Sequence, residues 1–370
     1  MKKIYYLTVE GISSSVFESQ VHSLKKEFSK DKNLDFNLFI GQLIKSRIPI
    51  KKFFNLFFDK KVRFFFLNKG FDYVKSAKKI AKKIYSNDVI LHCRNIEAAY
   101  IGLIIKQKIL PNINIIYDVR GYVEGEMLFF KRETKFKIFK ELNDALFSVD
   151  NGIYYNFVSK DLYDLYNKKY TIPKDRVIFC NSGYNDAVFK FISSESDTSK
   201  ETKIIYIGGN QSYQNINKIE QLFSKMDGVS LTIVTSKPIK VKKEGVTYYH
   251  NLKQKELSKL TGSFDYGIIY RSNHDFNKIA TPTKVTEYWG KGLKVIAIGN
   301  AGAYTKDIIN NPLLGLVVQN TDELNIMNLS KSTLKEKEEI SLFAKNTYSL
   351  SVNLKKYTDL YNQISNDENN

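Results

Sequence analysis

Thr281-Pro282-Thr283-Lys284-Val285-Thr286-Glu287-Tyr288-Trp289-Gly290-Lys291-Gly292 lies between two short apolar runs, Tyr266–Tyr270 and Lys294–Ile298. Apolar runs of that length read as buried strands and the segment between them as a helix, giving a β-α-β unit. Strands joined in this way pair in parallel, so the helix starts at the edge of the sheet where the carboxyl ends of the strands emerge. Thr281 is expected as the N-cap and Pro282 as the first helical residue. A hydroxyl accepts from the first turn, and proline lacks an N–H that would go unused there. The free N–H groups of that turn, the helix dipole and Lys284 together favour a phosphate. Glu287, one turn on, is placed to accept from sugar or ribose hydroxyls. The plainer alternative is a capped surface helix in which Glu287 pairs with Lys291, a contact contributing about 0.3–0.5 kcal/mol.

The same alternation extends in both directions. Upstream, strands are expected at Ile4–Thr8, Leu34–Ile40, Val62–Leu67, Val89–Cys93, Ile113–Asp118, Gly152–Val158 and Val177–Asn181. Helices are expected at Ser15–Phe28, Tyr73–Tyr85, Ile96–Lys106, Thr134–Phe147 and Lys160–Asn167. Ser193–Lys203 is almost entirely Ser, Thr, Glu, Asp and Lys, a solvated linker. Beyond it, strands are expected at Lys203–Ile207, Ser230–Thr235, Val246–His250, Tyr266–Tyr270, Lys294–Ile298 and Gly315–Val318. Two helices are expected within Leu334–Ile364, the second crossing back to the first domain. The expected fold is α/β: two Rossmann-like, doubly wound parallel sheets facing across a cleft. Their domains are residues 1–192 and 203–345, followed by a C-terminal helix, 346–370.

The length of 370 residues and the hydrophobic content of 43% suit two such cores. The net charge of +18 is uneven, +14 through Lys190 and +4 beyond, with a net +11 between Lys45 and Lys83. That stretch also carries Phe53, Phe54, Phe57, Phe58, Phe64, Phe65, Phe66 and Phe71. Basic and aromatic residues together point to nucleic acid or to an anionic membrane surface. No nucleic-acid module is recognisable and the excess charge sits in one domain, so nucleic acid is not the expected partner. Val62–Leu67 reads as a buried central strand. Phe53, Phe54, Phe57 and Phe58, between Lys51-Lys52 and Lys60-Lys61, suit either an amphipathic helix on lipid or a core-facing helix with a basic outer face. No apolar stretch approaches the ~20 residues that span a bilayer, and no signal-peptide region is seen, so a cytoplasmic location is expected.

Several chemistries find no support. His22, His250 and His274 have no metal-ligand spacing, and there is no Asp-x-Asp motif, so no metal is expected. Neither a G-x-S-x-G elbow nor a P-loop is present. Cys93 and Cys180 read as small buried thiols. In the first domain, Thr8–Ser15 joins a strand to a helix; Gly11 permits a sharp turn, and Ser13 and Ser14 offer caps and hydroxyl partners. His92-Cys93-Arg94-Asn95 and Asp118-Val119-Arg120-Gly121 close two strands at the ligand edge. A strand-end arginine is often only the partner of a nearby aspartate, and Arg94 is open to that reading.

The segment from Pro282 to Gly292 resembles the P-x-K-x-x-E-Y-x-x-x-G signature of retaining, family-4-like glycosyltransferases with the GT-B fold. Val158-Ser159-Lys160-Asp161-Leu162, followed by Val177–Asn185 and Phe189, is similar to that family's V-S-x-x-L … I-x-N-G-V-D-x-x-x-F run. Ile205–Gly209 is similar to the opening of its nucleotide domain. Asp118-Val119-Arg120-Gly121 with Glu124 looks like a D-x-R-G-x-x-x-E variant. The resemblance implies transfer of a sugar from a nucleotide-diphosphate sugar, with retention and with no metal or cofactor. It places Gly208, Gly209, Asn210, Arg271, Thr281, Pro282, Thr283, Lys284 and Glu287 on the donor, Thr283 and Lys284 at its diphosphate and Glu287 at its ribose. Asp118, Arg120, Lys284 and Glu287 become the catalytic set, and Gly11, Ser13, Ser14, Arg94 and Glu124 the acceptor side. The implied acceptor is a glycan or polyprenyl-linked saccharide of bacterial surface polysaccharide, met at the inner face of the plasma membrane through Lys45–Lys83.

Two departures bear on this. Ile279 stands where the family has the first glutamate of a Glu-x7-Glu pair. Asn210, Gln211 and Ser212 stand where it has Arg and Lys, leaving Arg271, Lys284 and the helix dipole to neutralise phosphate. A catalytically degenerate, membrane-docked scaffold is the alternative these changes raise. A nucleotide-sugar epimerase or an inverting transferase would want a general base, and no convincing candidate is present.

Overall fold

The computed structural model describes the chain apart from residues 1, 15, 44–48, 68–71, 85–88, 149–150, 193–200, 210–213, 224–225, 240–241, 273, 326–328 and 368–370. Asn210, Gln211, Ser212, Lys45, Phe71 and most of the Ser193–Lys203 linker lie outside the described residues. The chain divides into two compact units, Met1–Asn181 with Asn353–Asn370, and Ser182–Val352.

The first unit runs β1 (Lys2–Thr8), a π-helical turn (Phe17–His22), α1 (Ser23–Phe28), β2 (Leu34–Leu43), α2 (Ile50–Phe57), β3 (Val62–Leu67), α3 (Tyr73–Ala81), β4 (Ile90–Arg94), α4 (Ile96–Lys108), β5 (Asn114–Val119), α5 (Val123–Phe129), α6 (Glu133–Leu146), β6 (Ile153–Phe157), α7 (Lys160–Asn167) and β7 (Val177–Phe179). Its seven strands are parallel in the order β3-β2-β1-β4-β5-β6-β7. The central strands β1, β4 and β5 are buried along almost their whole length, as a sheet covered on both faces requires. The direction of winding reverses between β1 and β4, and the carboxyl edge at such a switch point is where open parallel sheets generally take ligands.

Two expectations are corrected. Val62–Leu67 is the edge strand of the sheet, not a central one; Arg63 and Phe66 are exposed while Val62 and Phe65 are buried. The three phenylalanines imitate a doubly covered strand, but an edge strand needs only half of its side chains inside. The helix expected from residue 15 to 28 is a π turn that passes into α1 at Ser23, whose hydroxyl donates to the Glu18 carbonyl at 3.0 Å. Ser14 opens it, its Oγ accepting from the Phe17 N–H at 2.9 Å.

The second unit runs β8 (Thr202–Gly208), α8 (Ile216–Phe223), β9 (Val229–Thr235), β10 (Val246–His250), α9 (Gln254–Thr261), β11 (Tyr266–Tyr270), α10 (Asp275–Lys278), α11 (Thr283–Gly290), β12 (Lys294–Ile298), α12 (Thr305–Asn310), β13 (Gly315–Val318), α13 (Thr321–Asn325) and α14 (Leu334–Tyr348). Its six parallel strands lie in the order β10-β9-β8-β11-β12-β13. One core face gathers around Trp289, Tyr288, Val295 and Ile340, the other around Tyr206, Ile219, Ile233 and Ile296. The last helix, α15 (Leu350–Asp367), belongs to the first unit from Asn353 onward.

Six consecutive residues of α11, Val285–Gly290, are buried. The Tyr288 ring lies where a side chain at Gly267 would stand, and its hydroxyl accepts the Ile207 N–H at 2.9 Å. The Trp289 Nε1 donates to the Leu314 carbonyl at 2.9 Å. This helix is part of the core, and the surface-helix alternative falls with that finding.

Candidate functional sites of the two units

In the second unit the site forms where β11, β12 and the start of α11 meet. The helix opens later than expected. Pro282 is its N-cap, with an extended backbone and no side-chain capping bond, and Thr283 is the first helical residue. Thr281 does not cap; its hydroxyl is within 2.8 Å of the Ser182 hydroxyl. The turn carries no side-chain capping bond, the Val285 N–H donates to the Pro282 carbonyl at 3.0 Å, and the positive end of the helix dipole favours an anion there. Lys284 reaches forward along the helix, its Nζ 2.5 Å from Glu287 Oε2. Glu287 is 3% exposed, whereas the Lys284 side chain is one-third exposed. The expected Glu287–Lys291 pair does not form, since Lys291 Nζ donates to the Lys190 carbonyl at 2.9 Å.

The loops around this turn are tied to one another. Arg271 follows β11, and its N–H donates to the Ile298 carbonyl at 3.1 Å. Gly299, with φ at +81°, lets the chain pass against the Arg271 carbonyl, a place with no room for a Cβ. Asn277 is buried and donates through Nδ2 to the Ser272 carbonyl and hydroxyl at 2.9 and 3.1 Å. Asn300 donates to the same carbonyl at 3.2 Å and accepts from the Gly302 N–H at 3.0 Å. Nothing in the sequence pattern had singled out Ser272, Asn277 or Asn300. Gly208 closes β8, with the Tyr206 hydroxyl packed over it and donating to the Gly209 carbonyl at 3.0 Å.

In the first unit the register alone assembles a site. Thr8 pairs with Arg94, Arg94 with Asp118 and Asp118 with Asn156 across four neighbouring strands. Side chains in such a row share a face, as do Tyr6 and His92 two residues earlier. Asp118 is fully buried. Its Oδ1 accepts from Asn156 Nδ2 at 2.7 Å and from Arg120 at 3.3 Å, and its Oδ2 lies 3.6 Å from Arg94 and 3.9 Å from His92 Nε2. Arg94 donates to Glu10 at 2.9 Å and to Gln20 at 2.5 Å; Gln20 also accepts from Arg120 at 2.9 Å. Arg94 thus has the acidic partners the plainer reading allowed, with Glu10 the nearer. Burial alone would raise the Asp118 pKa, but the Arg120 and Arg94 guanidiniums hold it below the ordinary carboxylate value.

His92 accepts or donates through Nδ1 to the Tyr361 hydroxyl at 2.8 Å, and its ring lies against Tyr6, Tyr357 and Tyr361. Burial pushes its pKa from 6.5 down to about 4, against the pull of Asp118 and with the push of Arg120 and Arg94. The folded unit therefore holds His92 neutral at pH values where the unfolded chain takes up a proton. Stability is complete above about 6.5 and declines as the pH falls toward 4, by about 3 kcal/mol from this group. Replacing His92 with Asn, which keeps a polar atom near the Nδ1 position, is expected to flatten the dependence between those values. Urea unfolding followed across that pH range checks it.

The other residues expected on the acceptor side lie apart from this cluster or at its rim. Gly11, Ser13 and Ser14 lie in the turn after β1, which Gln42 supports by accepting the Ile12 N–H at 3.5 Å. Glu124 is drawn elsewhere, buried on α5, 3.9 Å from Lys169 and held protonated more readily than usual by its burial. Among the described residues no three His, Cys, Asp or Glu side chains group so as to hold a metal ion, and no helix is long and apolar enough to cross a membrane.

No family model and no curated protein matches this sequence. Solved structures do match. Sucrose-phosphate synthase from Thermosynechococcus elongatus aligns with a TM-score of 0.71 at 12% identity, covering 98% of this chain and 99% of that one. Anabaena HepE in complex with UDP aligns at 0.69 and 10% identity, over 98% and 100% of the two chains. The apo form of WaaB, a lipopolysaccharide outer core galactosyltransferase, aligns at 0.67 and 10% identity, over 97% and 99%. The chain has the GT-B fold. A protein described as a UDP-N-acetylglucosamine 2-epimerase from Listeria monocytogenes shares it at 0.57, so the GT-B fold serves more than one reaction.

Proposed function

We propose that this GT-B chain is a glycosyltransferase that takes a sugar from a nucleotide-diphosphate donor, with the donor in the second unit and the acceptor in the first. The observation that carries the proposal is the opening of α11: a turn without a side-chain cap, with Lys284 and buried Glu287 in its first two turns, at the carboxyl edge of the sheet. A diphosphate at that helix end meets the positive pole of the dipole and gives Lys284 an anion more highly charged than Glu287. As the bond to the sugar breaks, negative charge grows on the leaving diphosphate, and preorganised positive charge at that point lowers the barrier most. Arg271 is the second cation at this edge. The incoming hydroxyl attacks from the face the diphosphate leaves and passes its proton to a diphosphate oxygen, so configuration is retained and no protein base or metal is needed. In the first unit, Arg120 orients the acceptor or the reacting sugar. The complete burial of Asp118 suits it to holding Arg94 and Arg120 in place.

HepE's complex with UDP makes a uridine donor the first to test, and WaaB's role in lipopolysaccharide supports an acceptor from bacterial surface polysaccharide. A polyprenyl-linked acceptor would be met at the inner face of the plasma membrane. Ile279, in place of a family glutamate, favours a second reading in which the donor still binds but is not turned over. UDP at about a hundred times its Kd is expected to stabilise the protein by about 2.7 kcal/mol without added metal. Thermal unfolding measures this. A shift accompanied by sugar transfer supports the proposal, a shift without transfer supports the degenerate form, and no shift with any nucleotide diphosphate overturns both.

A further inference from the structure

The largest group of exposed apolar side chains among the described residues of the first unit lies on one element. Along α2 and the residue after it, Ile50, Phe54, Phe57 and Phe58 are 72, 50, 55 and 75% exposed, and only Leu56 is buried. Phe53 holds the helix down, its ring 4.9 Å from Phe64 of the edge strand and 5.6 Å from Phe57. Phe66 is 46% exposed and shares the Phe64 face of β3, which extends the patch. Exposed large aromatics gathered in this way mark an interaction surface, not a core.

Its charges name the occupant. Lys51, Lys60, Lys61 and Arg63 are exposed around the patch. The carboxylate within the segment, Asp59, is taken by Lys25, and among the described residues Lys51 and Lys60 have no carboxylate partner. A ring of cations around protruding phenylalanines complements an anionic lipid surface: the rings enter the acyl boundary while the ammonium groups meet headgroup phosphates. The lysines of α3 do not contribute, because right-handed connections put α2 and α3 on opposite faces of the sheet. The +11 segment is thereby split in two.

The patch is also tied to the acceptor side. Lys52 of α2 pairs with Glu18 at 2.6 Å and lies over the Phe17 ring. Glu18 donates its N–H to Ser14 at the end of the turn after β1. We infer that α2 and the Phe58–Arg63 segment form a docking surface for an anionic bilayer, coupled through Lys52 and Glu18 to the turn that faces the acceptor. This rests on the proposed transfer to a membrane-held acceptor, but its test does not.

Sedimentation with vesicles of phosphatidylcholine, alone or mixed with phosphatidylglycerol, reads the docking directly. The native chain is expected to bind the mixed vesicles and to be released by salt. Phe54→Ser with Phe58→Ser, or Lys51→Glu with Lys60→Glu, is expected to weaken binding about tenfold or more. All four side chains are exposed, so the thermal midpoint and the response to UDP should be unchanged. Loss of the UDP response would report on the donor site, not on docking. Equal binding to both vesicle types, or none to either, overturns the inference. So does a dimer that these substitutions dissolve, or DNA binding without vesicle binding.

Discussion

Asp118→Asn is expected to cost the first unit about 3–5 kcal/mol, the loss typical when one member of a buried ion group is removed. The amide can still accept the Asn156 hydrogen bond, so packing and volume barely change. What disappears is the charge that faces Arg94 and Arg120, and it leaves Glu10 as the carboxylate against the more deeply buried guanidinium. Gln20 bridges both arginines but carries no charge to replace it. The chain's single tryptophan offers a clean readout, because Trp289 belongs to the second unit. Tyrosine absorbance, which reports on both units, should show an early transition in the variant, while Trp289 fluorescence moves less. If the two probes shift together by under 1 kcal/mol, the cluster does not hold the first unit together. Transfer should fall as well, even at temperatures where the variant is folded, because Arg120 loses the contact that orients it.

The sequence made the alternation of strands and helices plain because parallel strands are buried on both faces and read as continuous apolar runs. Every strand it suggested exists. The misplacement of β3 shows the limit: Val62–Leu67 has the composition of a central strand, and only the winding order makes it an edge. Helices fared less evenly. Val123–Phe129 and Ile216–Phe223 were missed, each only seven or eight residues long and too short to display a period. The π turn was unreadable in principle, since one inserted residue shifts the pattern without breaking it.

The candidate sites divide along the same line. Asp118, Arg94 and Arg120 were legible because each follows an apolar run, and strand ends at a parallel sheet's carboxyl edge converge. Gln20, Asn156, Tyr357 and Tyr361, which complete that cluster, were not. They come from the π turn, from inside another strand and from α15, far along the chain, and nothing local marks a partner so distant. Glu124 fitted a motif spacing, yet its helix turns it toward Lys169. The pairing of Lys284 with Glu287 instead of Glu287 with Lys291 reflects direction as well as spacing. Lysine side chains on a helix have reach in both senses, and the Lys190 carbonyl captured the other one.

That pairing decides how the donor site must be tested, and Lys284→Ala is expected to weaken UDP binding by ten- to a hundredfold, the loss of about 1.5–3 kcal/mol carried by a charge-assisted hydrogen bond. The single variant is ambiguous by itself. It leaves the Glu287 carboxylate buried without its partner, a destabilisation of about 1–3 kcal/mol that could deform the turn. Lys284→Ala combined with Glu287→Ala removes both charges and is expected to recover part of that stability. A purely structural pair predicts that UDP binding recovers alongside stability in the double variant. A donor site predicts the opposite: stability returns, while binding stays weak or falls further as the ribose contact goes too. Thermal unfolding and UDP titration of the same three proteins separate these outcomes. Lys284→Arg closes the cycle, since it preserves the charge opposite Glu287 and should retain both stability and most of the binding.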